Sequence, residues 1–165
     1  MSSHSKKGLS WFLGQIRSGS ILNPNIMSEC FAQLDSETTS SEAQAYVRFD
    51  PENYARNVVL NEPNVQVLVL CWRSSQASRP HDHGSSNCGV YVLSGTVTET
   101  LYSELPSPDA APDAERNESV LAVREWTPGS FTASEGSYVH RIENRHATDL
   151  ITLHVYSPPL IKIGV

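Results

Sequence analysis

Six short apolar segments constrain the fold of this chain more than any other feature of its sequence. They are rich in β-branched and aromatic residues, and glycine, proline, asparagine and serine separate them. The segments span residues 58–60, 65–72, 88–93, 96–102, 119–126 and 150–156. Short strands of this composition and spacing indicate an antiparallel sandwich or a small barrel. Between two of them, Ser94-Gly95 predicts a hairpin turn.

The first 46 residues have a different pattern. Apolar residues recur there at helical spacing. Helices are predicted over residues 8–16, 25–34 and 40–46. A Pro-, Ala- and acid-rich stretch, 103–118, predicts a surface loop. The length of 165 residues fits one domain. We therefore expect a single all-β domain over 1–165, with a mainly helical portion at 1–46 and a β-barrel at 47–165.

Charge and cysteine content narrow the classes of function. The net charge of -6 disfavours a nucleic-acid binder, which needs clustered Lys and Arg. No stretch approaches the ~20 apolar residues of a membrane span, and the N-terminus has no signal-peptide core. Three cysteines, an odd number at no framework spacing, fit a reducing compartment. We expect a cytoplasmic monomer.

Two histidines one residue apart, His81 and His83, form the first candidate metal-binding group. In an extended segment their side chains share a face, whereas Asp82 points the opposite way and is expected to be structural. Taken alone, such a pair is more typical of surface or hydrogen-bonded histidines than of a metal site. A third histidine, His140, lies in a later predicted strand and could face the pair across a barrel.

The spacing of these residues resembles the two motifs of the cupin superfamily. The pattern is His-Asp-His, four residues, Cys88, six residues, Gly95, and later His140 followed by Asn144. The resemblance implies a cupin-type, jelly-roll-like barrel. Cys88 stands where many cupins have a glutamate ligand. Three neutral imidazoles leave a ferrous ion open positions on one face, which suits a substrate that binds through two atoms and dioxygen.

A closer resemblance links the chain to the cysteine dioxygenase family of thiol dioxygenases. The segments 68–102, 139–144 and 153–159 are similar to that family, and 54–60 resembles its substrate-binding segment. The resemblance implies Fe(II) as cofactor. It also implies L-cysteine and O2 as substrates and cysteine sulfinate as product. The implied metal ligands are His81, His83 and His140.

The same resemblance implies roles around the substrate. Arg56 would pair with the substrate carboxylate, because a guanidinium can bind a carboxylate through two hydrogen bonds. Tyr54 and Trp72 would line the same pocket.

Three further residues are implied near the reacting atoms. Tyr156 would lie near the substrate thiolate, and His154 would hydrogen-bond its phenol. Cys88 would form a thioether with Tyr156, as in animal members of the family, whereas many bacterial members have glycine there. Thr152 replaces the serine that often precedes this histidine and tyrosine, and it keeps the hydroxyl.

Two alternative functions stay open at this point. A thiol dioxygenase acting on 3-mercaptopropionate is the first, although members with that preference often carry glutamine in place of Arg56. A non-catalytic metal-binding cupin is the second, because fold alone does not fix function. In that case Tyr156, His154 and Cys88 would be buried residues with no part in chemistry.

Overall fold

The structure is mostly strand, with three short helices ahead of the strands. The computed structural model describes residues 5–17, 19–107 and 119–160. Its helices are α1 (Leu9–Ile16), α2 (Pro24–Phe31) and α3 (Ser36–Ala43), followed by a 3-10 turn at Gln44–Tyr46. Its strands are β1 (Ala55–Glu62), β2 (Val65–Trp72), β3 (Asn87–Ser94), β4 (Val97–Tyr102), β5 (Val120–Trp126), β6 (Phe131–Ser134), β7 (Val139–Glu143) and β8 (Leu150–Ser157).

A side-chain cap fixes where the third helix begins. The Asp35 carboxylate accepts a hydrogen bond from the backbone N–H of Thr38 at 2.9 Å. The helix therefore starts at Ser36, ahead of the predicted segment 40–46. That prediction was wrong at its first residue, because the capping aspartate sets the first turn rather than the apolar residues after it.

The strands form two sheets that face each other around an apolar interior. The first has the order β1-β2-β8-β3-β6 and the second the order β5-β4-β7. Every hydrogen-bonded pair of strands is antiparallel. This arrangement confirms the predicted all-β barrel with a small helical portion ahead of it.

The central strands of the first sheet, β2, β8 and β3, are buried on both faces, which explains why most of their residues are apolar. In β8, Tyr156 belongs to the cluster between the sheets. Leu153 and Val155 belong to the cluster that the helices cover. Phe12 and Phe31 stack in that second cluster with ring centroids 5.1 Å apart. One strand thus supports the helices with one face and lines the interior with the other.

The predicted hairpin at Ser94-Gly95 is wrong, because β3 and β4 belong to different sheets. Gly95 has φ +80°, and a Cβ there would lie 2.5 Å from the backbone oxygen of Asp149. Both features require glycine. The dipeptide forms a corner through which the chain passes from one sheet to the other. A hairpin and a corner share the same turn residues, so the sequence alone does not separate them.

Other differences from the sequence expectation are small. The strand predicted at 58–60 extends over the whole of β1, and β6 was not predicted because four residues are too short a signal. Residues 108–118 of the predicted loop lie outside the described residues. None of the helices in the described ranges is long and apolar enough to cross a membrane.

Candidate metal centre

Three histidines, one partly buried and two buried, meet where the segment before β3 pairs with β7. His81 lies in the segment before β3, and its backbone pairs with that of His140 in β7 through two hydrogen bonds of 2.9 and 3.0 Å. The ring centroids of His81, His83 and His140 are 4.9 to 5.0 Å apart. One nitrogen from each ring lies within 4.8 Å of the others. This geometry can hold one metal ion.

Hydrogen bonds orient two of the rings. His81 Nδ1 is 2.7 Å from the carbonyl oxygen of Arg79. A carbonyl oxygen can only accept, so Nδ1 donates. His140 Nδ1 donates in the same way to the carboxylate of Glu99 at 2.8 Å. When such a ring is neutral, its lone pair is on Nε2, and this is the form that binds a metal.

His83 lacks any such partner. Both of its ring nitrogens are buried, and neither has a hydrogen-bond partner in the described part of the chain. A buried polar group without a partner is unfavourable. A metal ion between the three rings would satisfy one nitrogen of His83, so these residues fit a bound metal.

Burial favours the neutral form of His81 and His83. Burial, with a contribution from His140, lowers the pKa of His81 to about 4. Burial and the two neighbouring histidines lower the pKa of His83 to about 3. Metal binding requires neutral imidazole, so at neutral pH no proton has to leave these two rings before they bind an ion. Asp82 stays outside the group, as predicted, and accepts a hydrogen bond from the backbone N–H of Gly84 at 3.0 Å.

A chain of hydrogen bonds runs along the interior face of β8. The Trp72 indole N–H donates to the Thr152 hydroxyl at 3.0 Å. That hydroxyl lies 2.9 Å from His154 Nε2, and His154 Nδ1 lies 3.1 Å from the Tyr156 hydroxyl. Alternate residues of one strand share a face, which is why these three side chains meet. The chain fixes the position of the phenol, whose ring centroid is 5.6 Å from that of His83.

Cys88 lies directly opposite Tyr156. The register of β3 and β8 pairs the two residues, and both side chains are buried between the sheets. Burial, and then the nearby Cys88, raises the pKa of the Tyr156 phenol well above its ordinary value. Burial likewise raises the pKa of the Cys88 thiol. The structure thus brings together the two residues of the predicted thioether.

The predicted substrate-binding residues lie beside this group. The ring of Tyr54 stacks on that of Trp72, with centroids 4.1 Å apart. Arg56 is exposed at the start of β1. After burial and the neighbouring histidines, its positive charge also lowers the pKa of His83 and His154. Arg56 is therefore close enough to act electrostatically on the site while remaining open to solvent.

Comparison with known proteins identifies the family. A family model described as cysteine dioxygenase type I matches residues 4–164, nearly the whole chain. The chain belongs to the cysteine dioxygenase type I family. Human cysteine dioxygenase type 1 is 32% identical over 153 residues, which cover 89% of this chain and 71% of the human protein. The predicted family is confirmed.

Solved structures support the fold of this family member. A protein from Klebsiella pneumoniae with a double-stranded β-helix domain superposes with a TM-score of 0.56 at 20% identity. The match covers 70% of this chain and 86% of that one. An RmlC-like cupin from Desulfovibrio desulfuricans gives a TM-score of 0.51 at 20% identity, over 68% and 90% of the two chains. These likenesses concern the fold alone, and they confirm the cupin-type barrel.

Sequence reasoning missed two residues of this site. Glu99 lies behind His140. The sequence contained a signal for it, because Glu99 alternates with the buried apolar residues Val97 and Leu101 on one face of a strand, where a carboxylate is unusual. The ring of Tyr138 lies 5.6 Å from that of His140. Burial, and then Glu99, raises the pKa of the Tyr138 phenol to about 12. Its spacing of two residues from His140 would have placed it on the same face.

Proposed function

We propose that this chain is a cysteine dioxygenase that adds both atoms of O2 to the thiol of L-cysteine and forms cysteine sulfinate. The observation that carries the proposal is the group of three histidines, joined on one side by the buried Tyr156 and Cys88. His81, His83 and His140 would hold Fe(II), and three imidazole ligands suit that ion among others. When bound, the iron would bring thiol and dioxygen together and stabilise the thiolate.

Arg56 is the proposed partner of the substrate carboxylate. Its guanidinium is always charged and can make two parallel hydrogen bonds to a carboxylate. The stacked rings of Tyr54 and Trp72 would form an apolar wall beside the substrate. Solvent exposure of Arg56 gives the substrate a route to this contact.

Tyr156 is proposed to hold a proton near the reacting sulfur. Its raised pKa keeps the phenol protonated at neutral pH in the absence of a ligand. His154 and Thr152 fix the direction of its hydroxyl through the hydrogen-bonded chain. A proton at a fixed position can be donated to a developing negative charge with little reorganisation.

The first experiment is oxygen uptake by the Fe(II)-loaded protein, with L-cysteine and with 3-mercaptopropionate, and identification of the product by mass spectrometry. Uptake with L-cysteine and formation of cysteine sulfinate would support the proposal. Preference for 3-mercaptopropionate would instead favour that substrate. Absence of uptake with both, from protein shown to contain iron, would favour a non-catalytic cupin.

Replacing Arg56 by glutamine tests the carboxylate contact. A hydrogen bond to a charged group contributes about 1.5–3 kcal/mol. We expect kcat/KM for L-cysteine to fall roughly tenfold to hundredfold, mainly through KM. Arg17→Gln is the matched control, because Arg17 is an exposed arginine that pairs with Glu62. Unchanged kinetics in Arg56→Gln would remove Arg56 from the proposed site.

The proposed thioether between Cys88 and Tyr156 has its own test. Its formation removes one hydrogen from the thiol and one from the phenol ring, a two-electron oxidation with dioxygen as acceptor. Protein that has turned over substrate should therefore weigh less than its sequence by two hydrogen atoms. Cys88→Ser should abolish this loss, and Cys30→Ser should retain it. Full sequence mass after turnover would contradict the crosslink. The expectations of a monomer and of a cytoplasmic location stay predictions.

A further inference from the structure

Glu99 is a fully buried carboxylate beside the proposed metal centre. It lies in β4 and is 0% exposed. Its Oε1 accepts the hydrogen bond from His140 Nδ1 at 2.8 Å, and its Oε2 accepts one from the Trp126 indole N–H at 2.9 Å. A buried carboxylate is costly unless it is well paired. Both oxygens here have a partner, so the arrangement has a defined geometry.

The chemistry of Trp126 and Glu99 fixes which groups donate and which accept in these two hydrogen bonds. An indole N–H can only donate, so Trp126 needs an acceptor. A carboxylate can accept on both oxygens, so Glu99 satisfies Trp126 and His140 together. The donated proton of His140 is then confined to Nδ1. Because Nδ1 is occupied by this hydrogen bond, Nε2 is the nitrogen of a neutral His140 that is left to contribute a lone pair to the group with His81 and His83.

The three histidines differ in this respect. His81 is oriented by the carbonyl oxygen of Arg79, which is neutral. His83 has no hydrogen-bond partner within the described ranges. Of the three, only His140 is paired with a carboxylate in the part of the chain that the structure describes. In many cupins a glutamate is itself a metal ligand. Here the carboxylate of Glu99 is instead hydrogen-bonded to a candidate ligand, His140.

We infer that Glu99, anchored by Trp126, is a positioning residue that holds His140 in its metal-binding tautomer and thereby sets the metal affinity of the site. This inference rests on the proposed function to the extent that the three histidines bind a metal ion. Outer hydrogen-bond partners of ligand histidines typically change metal affinity about 10- to 100-fold when they are mutated. It adds to the proposal a residue that does not touch the substrate.

The variant Glu99→Gln tests the inference sharply. Glutamine offers one acceptor oxygen and one donor amide, whereas Trp126 and His140 both need an acceptor. When Trp126 takes the oxygen, the amide N–H faces His140 Nδ1 and stabilises the tautomer protonated at Nε2. That tautomer cannot bind a metal through Nε2. The variant should therefore change the tautomer of His140 before any metal is added.

Two measurements follow this change without using enzyme activity. Nitrogen-15 NMR of the metal-free protein reports which ring nitrogen of His140 carries the proton. Competition with a chelator reports the affinity for Co(II), a redox-stable stand-in for Fe(II). We expect Glu99→Gln to shift the tautomer towards Nε2–H and to weaken Co(II) binding about 10- to 100-fold. Glu125→Gln, an exposed glutamate that contacts His146, should change neither.

A second variant separates positioning from a general structural defect. In Glu99→Gln/Trp126→Phe, the competing indole N–H is absent and the glutamine oxygen is free to accept from His140. If Glu99 acts by positioning His140, part of the lost Co(II) affinity should return in this double variant. If the single variant only has a structural defect, the second substitution should lower the Co(II) affinity further. An unchanged tautomer and affinity in Glu99→Gln would overturn the inference, and so would a further loss of affinity in the double variant.

Folding and function can be told apart in this design. If Glu99→Gln does not fold, Trp126→Phe alone still applies, because it releases one oxygen of Glu99 and should weaken Co(II) binding several-fold. Wild-type affinity in Trp126→Phe would overturn the inference. If wild-type protein binds Co(II) with the Nδ1–H tautomer but takes up no oxygen with either thiol, the proposed function fails while the role of Glu99 stands.

Discussion

Replacing Gly136 by alanine tests whether the metal centre depends on a close contact between two backbone segments. Gly136 lies just before β7, and its carbonyl oxygen accepts a hydrogen bond from the backbone N–H of His83 at 2.7 Å. A Cβ at Gly136 would lie 2.8 Å from the carbonyl carbon of Gly84 and from the backbone oxygen of Ser86, and closer still to the Gly84 oxygen. The segment that carries His83 therefore has no room for a methyl group.

The size of the effect follows from these distances. Ordinary van der Waals contact begins at 3.4 Å. The segments must therefore separate by at least about 0.6 Å. Metal–ligand distances tolerate only about 0.2 Å. We therefore expect metal affinity to fall at least about tenfold. Overpacking costs about 1–3 kcal/mol, and we expect the upper part of that range because the opposing atoms are backbone.

The assay combines urea unfolding of the metal-free protein with Co(II) titration against a chelator. Gly14→Ala is the control, because no atom lies within 4 Å of a Cβ at this position in α1. Alanine is the better helix former there, so this variant should gain about 0.5–1 kcal/mol and bind Co(II) normally. Wild-type stability and affinity in Gly136→Ala would refute the reasoning.

Three further predictions concern the interior, the corner and the metal. Thr152→Val leaves the Trp72 indole N–H and His154 without the shared hydroxyl, so the free energy of unfolding in urea should fall by about 1–3 kcal/mol. Thr152→Ser should remain close to wild type, and equal losses in the two variants would contradict a role for the hydroxyl. Gly95→Ala forces a side chain into φ +80° and should lower the free energy of unfolding by more than about 1 kcal/mol, seen as a lower Tm; an unchanged Tm would count against the corner. Fe(II) at a hundred times its Kd should raise the free energy of unfolding by about 2.7 kcal/mol in anaerobic urea titrations, and the increase should be lost in His83→Ala; an equal increase in that variant would place the ion elsewhere.

The sequence predicted the strands well because burial on both faces leaves a strong signal. β2 is apolar at all but one residue, β8 is buried at every residue, and each was predicted to within one residue. Pairing between distant strands leaves no comparable local signal. Gly95 shows this limit, since the same turn residues serve a hairpin and a corner, and only the Asp149 oxygen beside it distinguishes them.

Site residues could be predicted from the sequence where they belong to a recognisable motif or alternate along a single strand. The family resemblance singled out the three histidines that lie together in the structure, whereas the strand register that places Cys88 opposite Tyr156 was not visible in the sequence. Glu99 was missed because its partners, Trp126 and His140, lie on different strands, and a single strand does not reveal what crosses between neighbours. These hydrogen bonds form only when β4 pairs with β5 and β7 in the sheet.

The backbone pairing of His81 with His140 has a practical consequence for anyone preparing this protein. Two of the three candidate ligands are held in register by 2.9 and 3.0 Å hydrogen bonds that require no ion. The pairing of these two ligands therefore does not depend on which metal is present, and imidazole ligands generally bind Ni(II), Cu(II) and Zn(II) more tightly than Fe(II). The growth medium and the affinity resin then decide what occupies the cluster. On the proposed function, protein from a nickel column is expected to show no oxygen uptake until the bound ions are stripped and Fe(II) is added.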